Sequence, residues 1–182
     1  MTIKQFNATY LAHDDRLLFR FNTIEDSEFR FWFTRRVTLF ILAATSHLLV
    51  KNLEQNHSPE VAKAIAEFGE EAVKKEREQR EAKKPETYEP ASTYPLGADP
   101  VLVMDVKCSF EKQNTEDMLS LDLVLPGGAN INLKMAGPTL QAMCLLLNQL
   151  REHAAWGDVP KVQEAVTMAA NEAEKPQKPL MH

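Results

Sequence analysis

The chain has 182 residues, 44% of them apolar and 26% charged, with a formal net charge of −5. That length fits one ordinary domain or two small ones, and the apolar fraction suffices for a buried core, which excludes disorder throughout. The acidic balance argues against broad non-specific binding to nucleic acid. It is also uneven: residues 1–50 carry six Lys/Arg against five Asp/Glu, residues 51–95 eight against ten, and residues 96–182 seven against eleven. Only the first segment could attract an anion.

The longest apolar run, Val37 to Val50, is 14 residues between Arg36 and Lys51, too short for a helix spanning ~30 Å of hydrocarbon. It is expected as a core helix. The opening MTIKQFNATY lacks a secretory pattern, and Cys108 and Cys144 have no CxxC or CxxH spacing, so reduced thiols in a cytoplasmic protein are expected.

Residues 3–11, Arg16–Asn22 and Phe29–Thr34 alternate with the period of half-buried strands. Leu17, Phe19, Phe21, Phe29, Phe31 and Phe33 fall on one face, and Arg16, Leu18, Arg20, Asn22, Arg30 and Trp32 on the other. The polar Thr23–Glu28 stretch between them predicts a hairpin. Thr34 offers a cap to a helix carrying Val37, Phe40, Ile41, Ala44 and Leu48, ending near Asn52–Asn56.

Ser58-Pro59 opens a charged helix over residues 59–84, with seven acids against seven bases and an apolar stripe of Val61, Ile65, Phe68 and Ala72. Prolines 85, 90, 95 and 100 mark residues 85–100 as a linker. The first pattern then returns. Val101–Phe110, Met118–Leu125 and Asn130–Ala136 are predicted strands, PGGA at 126–129 a turn, and Gly137-Pro138 the start of a helix with Leu140, Met143, Cys144, Leu147 and Leu150. At an offset of 102 residues the six inward positions of the first hairpin fall on Leu119, Leu121, Leu123, Ile131, Leu133 and Met135, all apolar. Any two hairpins followed by helices would match in this way, so internal duplication and coincidence both remain open.

The expected fold is α+β: two β-β-β-α units, residues 1–57 and 101–157, related by a pseudo-two-fold axis. Between them lie the charged helix (58–84) and the Pro-rich linker (85–100), and after them a short amphipathic helix and disordered tail (158–182).

No catalytic motif is present: no GxSxG, P-loop, GxGxxG, HExxH or clustered Cys/His set, so no cofactor or metal is expected. His13-Asp14-Asp15 reads as a turn, His47 as a core or boundary histidine, and His57 and His153 as helix C-terminal residues favoured by the dipole. Asp105, Lys107, Asp122 and Lys134 read as cross-strand charge pairing, and Gly127-Gly128 as a hairpin turn.

One surface stands out. Arg16, Arg20, Arg30 and Trp32 share the outward face of the first hairpin, with Arg35 and Arg36 at the following helix start, where basic residues oppose the dipole. Such a face suits a protein partner or homodimer, single-stranded nucleic acid, or internal packing in which acids pair the arginines. The favoured expectation is a non-enzymatic interaction or adaptor protein that binds a protein partner or itself through this face, with no membrane association. Single-stranded nucleic acid binding is the alternative. An enzymatic role would need a pocket between the units.

The segments DRLLFRFNT (15–23) and EFRFWFTRR (28–36) resemble those of an uncharacterised family of bacterial proteins, which implies no activity. At the level of pattern, strand units closed by a helix and occurring twice are similar to the PUR-repeat and Whirly families; that resemblance implies single-stranded nucleic acid binding.

Overall fold

A computed structural model describes residues 2–81, 87–113 and 116–161. The fold is mixed α+β, with two sheets and three helices among the described residues. Strands β1 (Ile3–Leu11), β2 (Arg16–Thr23) and β3 (Glu28–Thr34) form an antiparallel meander, and α1 (Arg35–Leu53) follows directly. After α2 (Pro59–Glu81), the short β4 (Val101–Leu102) pairs parallel with β3. The second sheet is an antiparallel meander of β5 (Asp105–Gln113), β6 (Glu116–Val124) and β7 (Asn130–Ala136), followed by α3 (Gly137–His153).

Register follows from the alternation, because a one-residue slip would turn every apolar side chain outward. Leu17 lies opposite Phe33, Phe19 opposite Phe31, and Phe21 opposite Phe29. All six are buried, and rings stack at 4.8 Å (Phe19 and Phe33) and 5.1 Å (Phe21 and Phe29) between centroids. In the second sheet Leu119, Leu121, Leu123, Leu133 and Met135 are buried and Ile131 partly so, and both sheets feed one hydrophobic core. Each such side chain contributes about 1.5–3 kcal/mol of burial.

Thr34 caps α1 as expected, its hydroxyl accepting from the Val37 N–H at 3.3 Å, and α1 buries Val37, Ile41, Leu42 and Ala44 in the core. Beyond its own sheet, α1 packs on β5, and α3 packs on β1. The sheets also meet through the chain itself. The Val103 N–H donates to the Trp32 carbonyl, and the next N–H, of Met104, donates to the Val124 carbonyl, so consecutive residues pair with the first sheet and with the second. Gly127 and Gly128, both at positive φ, make the β6–β7 turn.

Helix α2 packs on α1 and α3, but not by the stripe its sequence suggests. Ala62 is fully buried, with Ala66 and Gly69 half-buried on the same side. Val61, Ile65 and Phe68 are instead 47%, 40% and 74% exposed. The buried side of the helix thus carries small residues, and the larger side chains are left outside.

The expected short helix within 158–182 lies outside the described residues beyond Lys161. No helix among the described residues is long and apolar enough to cross a membrane.

Candidate functional site

The outward face of the first sheet carries Arg16, Arg20 and Arg30 on adjacent strands, with Arg20 directly opposite Arg30. Like charges at directly opposed positions repel, so the pair needs compensation. It comes first from Glu28, whose carboxylate is fully buried and accepts from the Arg30 Nε at 2.7 Å. That hydrogen bond, ahead of the opposing effect of burial, raises the pKa of the Arg30 guanidinium.

The second compensation comes from the segment expected to be a linker. From Thr87 onward it crosses one end of the sheet. The Glu89 N–H donates to the Gln5 side chain and the Glu89 carbonyl accepts from Asn22 Nδ2; the Ala91 N–H donates to Glu28 Oε2 at 3.1 Å. Thr93 then bonds through its backbone to Glu28 and Asp26 and bridges to Ser27. Its prolines, which cannot complete a ladder, leave it a strap rather than a full strand. Two tyrosines of the strap meet the opposed arginines: Arg20 stands over the Tyr88 ring at 4.5 Å and Arg30 over Tyr94 at 4.6 Å. Arg30 also donates to the Ala98 carbonyl and to the Tyr94 hydroxyl.

The six residues expected as a recognition face therefore divide. Arg20 and Arg30 are half-buried beneath the chain's own strap, so this part is not the open cationic platform that alternation predicts. Arg16 lies over the Trp32 ring at 5.4 Å, both half-buried. Arg36 donates to the Met104 carbonyl and lies 3.7 Å from Asp105, holding the crossing between the sheets, while Arg35 is exposed. The face is a row of three arginine–aromatic contacts, each contributing about 0.5–2 kcal/mol according to its exposure.

The remaining polar candidates are structural. Asp15, at positive φ in the turn after β1, accepts from the Tyr10 hydroxyl at 3.1 Å and from the Trp156 Nε1 at 2.6 Å. Trp156 is buried edge-on to Tyr10 and ties the end of α3 to the first sheet, a contact no local pattern announces. His13 lies 3.3 Å from Asp14 in the same exposed turn, and His47, His57 and His153 are exposed; His47 is thus not a core residue. Asp122 lies opposite Lys107 and accepts from Asn132. No group of three or more His, Cys, Asp or Glu among the described residues could hold a metal ion. Burial, then the nearby Cys144 and Asp122, pushes the Cys108 thiol up to about 12, which leaves it protonated and a poor nucleophile at neutral pH.

Two outcomes follow from the strap. Arg30→Ala leaves Glu28 buried without its counter-charge and should cost about 3–5 kcal/mol in denaturant unfolding, against about 1 kcal/mol for Arg20→Ala, which loses only a ring contact; equal costs would contradict the assignment. Burial, then the charge of Glu28, raises the pKa of the Tyr88 phenol, with Arg20 and Arg30 offsetting part of the rise. Because the folded pKa lies above the unfolded value, the stabilisation is complete below about pH 10 and is lost as pH climbs further. Relative to Tyr88→Phe, the native chain should therefore lose stability above pH 10 in parallel denaturation series, and matching pH profiles would refute it.

No family model, no curated protein and no solved structure matches this chain.

Proposed function

We propose that this chain is a non-enzymatic interaction protein that docks a helix of another protein along α2. The observation that carries this reading is the exposed stripe of Val61, Ile65 and Phe68 on a helix already held to the body by Ala62. With exposed Ala72 the positions advance by four, three and four residues, the spacing of a two-helix seam. Soluble monomers seldom show such a row without a use for it. Glu60 and Glu71 are exposed along one border of the stripe, with Glu67 between them 3.8 Å from Lys63, which favours an amphipathic partner helix with lysine or arginine on its flank. A second copy would bring the same acids together, so a different protein is the better fit.

The first-hairpin face supports partner binding less well, since the strap already occupies Arg20 and Arg30. The same occupation, with the net charge of −5, weighs against single-stranded nucleic acid. Arg16, Trp32 and Arg35 remain as a secondary contact zone in this reading. The proposal also takes the two β-β-β-α units as a pseudo-two-fold pair, supported by the matching inward positions and by the reciprocal packing of α1 on β5 and α3 on β1. It sets the protein in the cytoplasm, supported by Cys108, a free cysteine.

The test is a comparison of variants of the full chain, purified with its native partner. Ile65→Gln with Phe68→Gln keeps helix propensity and removes the seam; each seam residue acting as a hot spot contributes about 2 kcal/mol, so affinity should fall by more than a hundredfold, with the unfolding midpoint unchanged. Arg16→Glu with Arg35→Glu should change affinity by less than about tenfold. A partner retained by the first pair and lost from the second, or a co-purifying nucleic acid whose binding weakens steeply with salt, would overturn the reading.

A further inference from the structure

A cleft of about 230 Å³ lies between α1 and α3. Its α1 wall runs from Leu42 to Leu49 and its α3 wall from Gln141 to Asn148, each an advance of seven residues, or two helical turns. No Asp, Glu, Lys or Arg lines it, and Leu49 and Leu145 are only half-buried, so apolar surface there is left open among the described residues. The volume exceeds the ~150 Å³ of an engineered cavity that takes up benzene, which suits two small aliphatic side chains.

The second observation is where the chain leads. After α3 the backbone turns at Gly157, and Val159 then lines the cleft and packs against the core, with Pro160 half-buried. Residues 162–182 follow, outside the described residues. In their sequence Val162, Val166, Ala169 and Ala173 advance by four, three and four, and winding them as a helix puts Ala165 and Ala170 beside that stripe and Glu164, Thr167 and Asn171 opposite it. Proline suits the first turn of such a helix. From Val162 to Ala169 the stripe advances seven residues, as each wall of the cleft does, and its Val and Ala side chains are small and uncharged like the space they would fill. Val162 is three residues beyond Val159, within about 10 Å of it even when fully extended.

We propose that residues 162–173 form an amphipathic helix that docks across the α1–α3 cleft of the same chain, with Val162 and Val166 entering it. Attachment through Val159 gives this segment an effective concentration in the millimolar range, which a second copy or a separate protein's helix does not share. The proposal goes beyond the α2 docking role and does not rest on it.

The experiment is methyl NMR of the full chain. Cross-relaxation should connect the Val162 and Val166 methyls to those of Leu49 and Leu145, and mixtures of labelled and unlabelled chains should place these contacts within one molecule. Val166→Asp should abolish them and lower the unfolding midpoint by about 5 °C, whereas Thr167→Asp, on the opposite side, should leave both unchanged. The proposal is overturned if the native chain lacks these contacts, if they arise only between chains, or if the valines contact Val61 and Ile65 of α2 instead. Equal effects of Val166→Asp and Thr167→Asp would overturn it as well.

Discussion

The organisation of the outer surface depends on one buried carboxylate. Glu28 opens β3 with no exposure to solvent, and a lone ionised group there would cost several kcal/mol. Its oxygens are met by the Arg30 guanidinium and by the Ala91 N–H, so a single residue pairs Arg30 and anchors the strap. Once Ala91 is fixed, Tyr88 and Tyr94 fall within reach of Arg20 and Arg30, and the polypeptide continues along β3 to β4. From there Val103 and Met104 hand it to the second sheet. A local charge problem in one hairpin is thereby solved jointly by Glu28 within it and by strap residues more than sixty positions away.

That distance explains which parts of the molecule were legible in the sequence. Period-2 alternation reports burial directly, and the inward set from Leu17 to Phe33 and its counterpart from Leu119 to Met135 lie where the pattern puts them. The Thr34 cap, the core helix after it and the Gly127-Gly128 turn are likewise local chemistry. The strap is not. Its prolines suppress every periodic signal, and what holds it is long-range: a carboxylate, two side-chain amides and two aromatic rings, none of which marks its partner in one dimension. Trp156 is a similar case, since its bond to Asp15 joins residues 141 positions apart.

Which surface is left open depends on a related long-range effect. An apolar stripe at helical spacing ordinarily faces the core, but α2 meets α1 and α3 through Ala62, Ala66 and Gly69, where small side chains permit close packing. Residues of little hydrophobicity thus form the contact, and the larger ones are presented outward. The cationic face, in contrast, had the composition of a recognition surface and is largely used internally. Composition reports what a surface could bind, whereas the fold decides which surface is left to bind it. The interaction role proposed for α2 follows from that exchange.

The claim on which this account rests is that residues 87–100 belong to the first sheet rather than hang between two units. Amide hydrogen exchange of the native chain tests it directly. The account predicts that the amides of Glu28, Ala91, Thr93 and Val103, each bonded across the strap or the crossing, exchange with protection comparable to the β2–β3 ladder and open with it as one cooperative unit. Exchange of Ala91 and Thr93 at the rate of an unstructured peptide, beside a protected β2–β3 ladder, would contradict it.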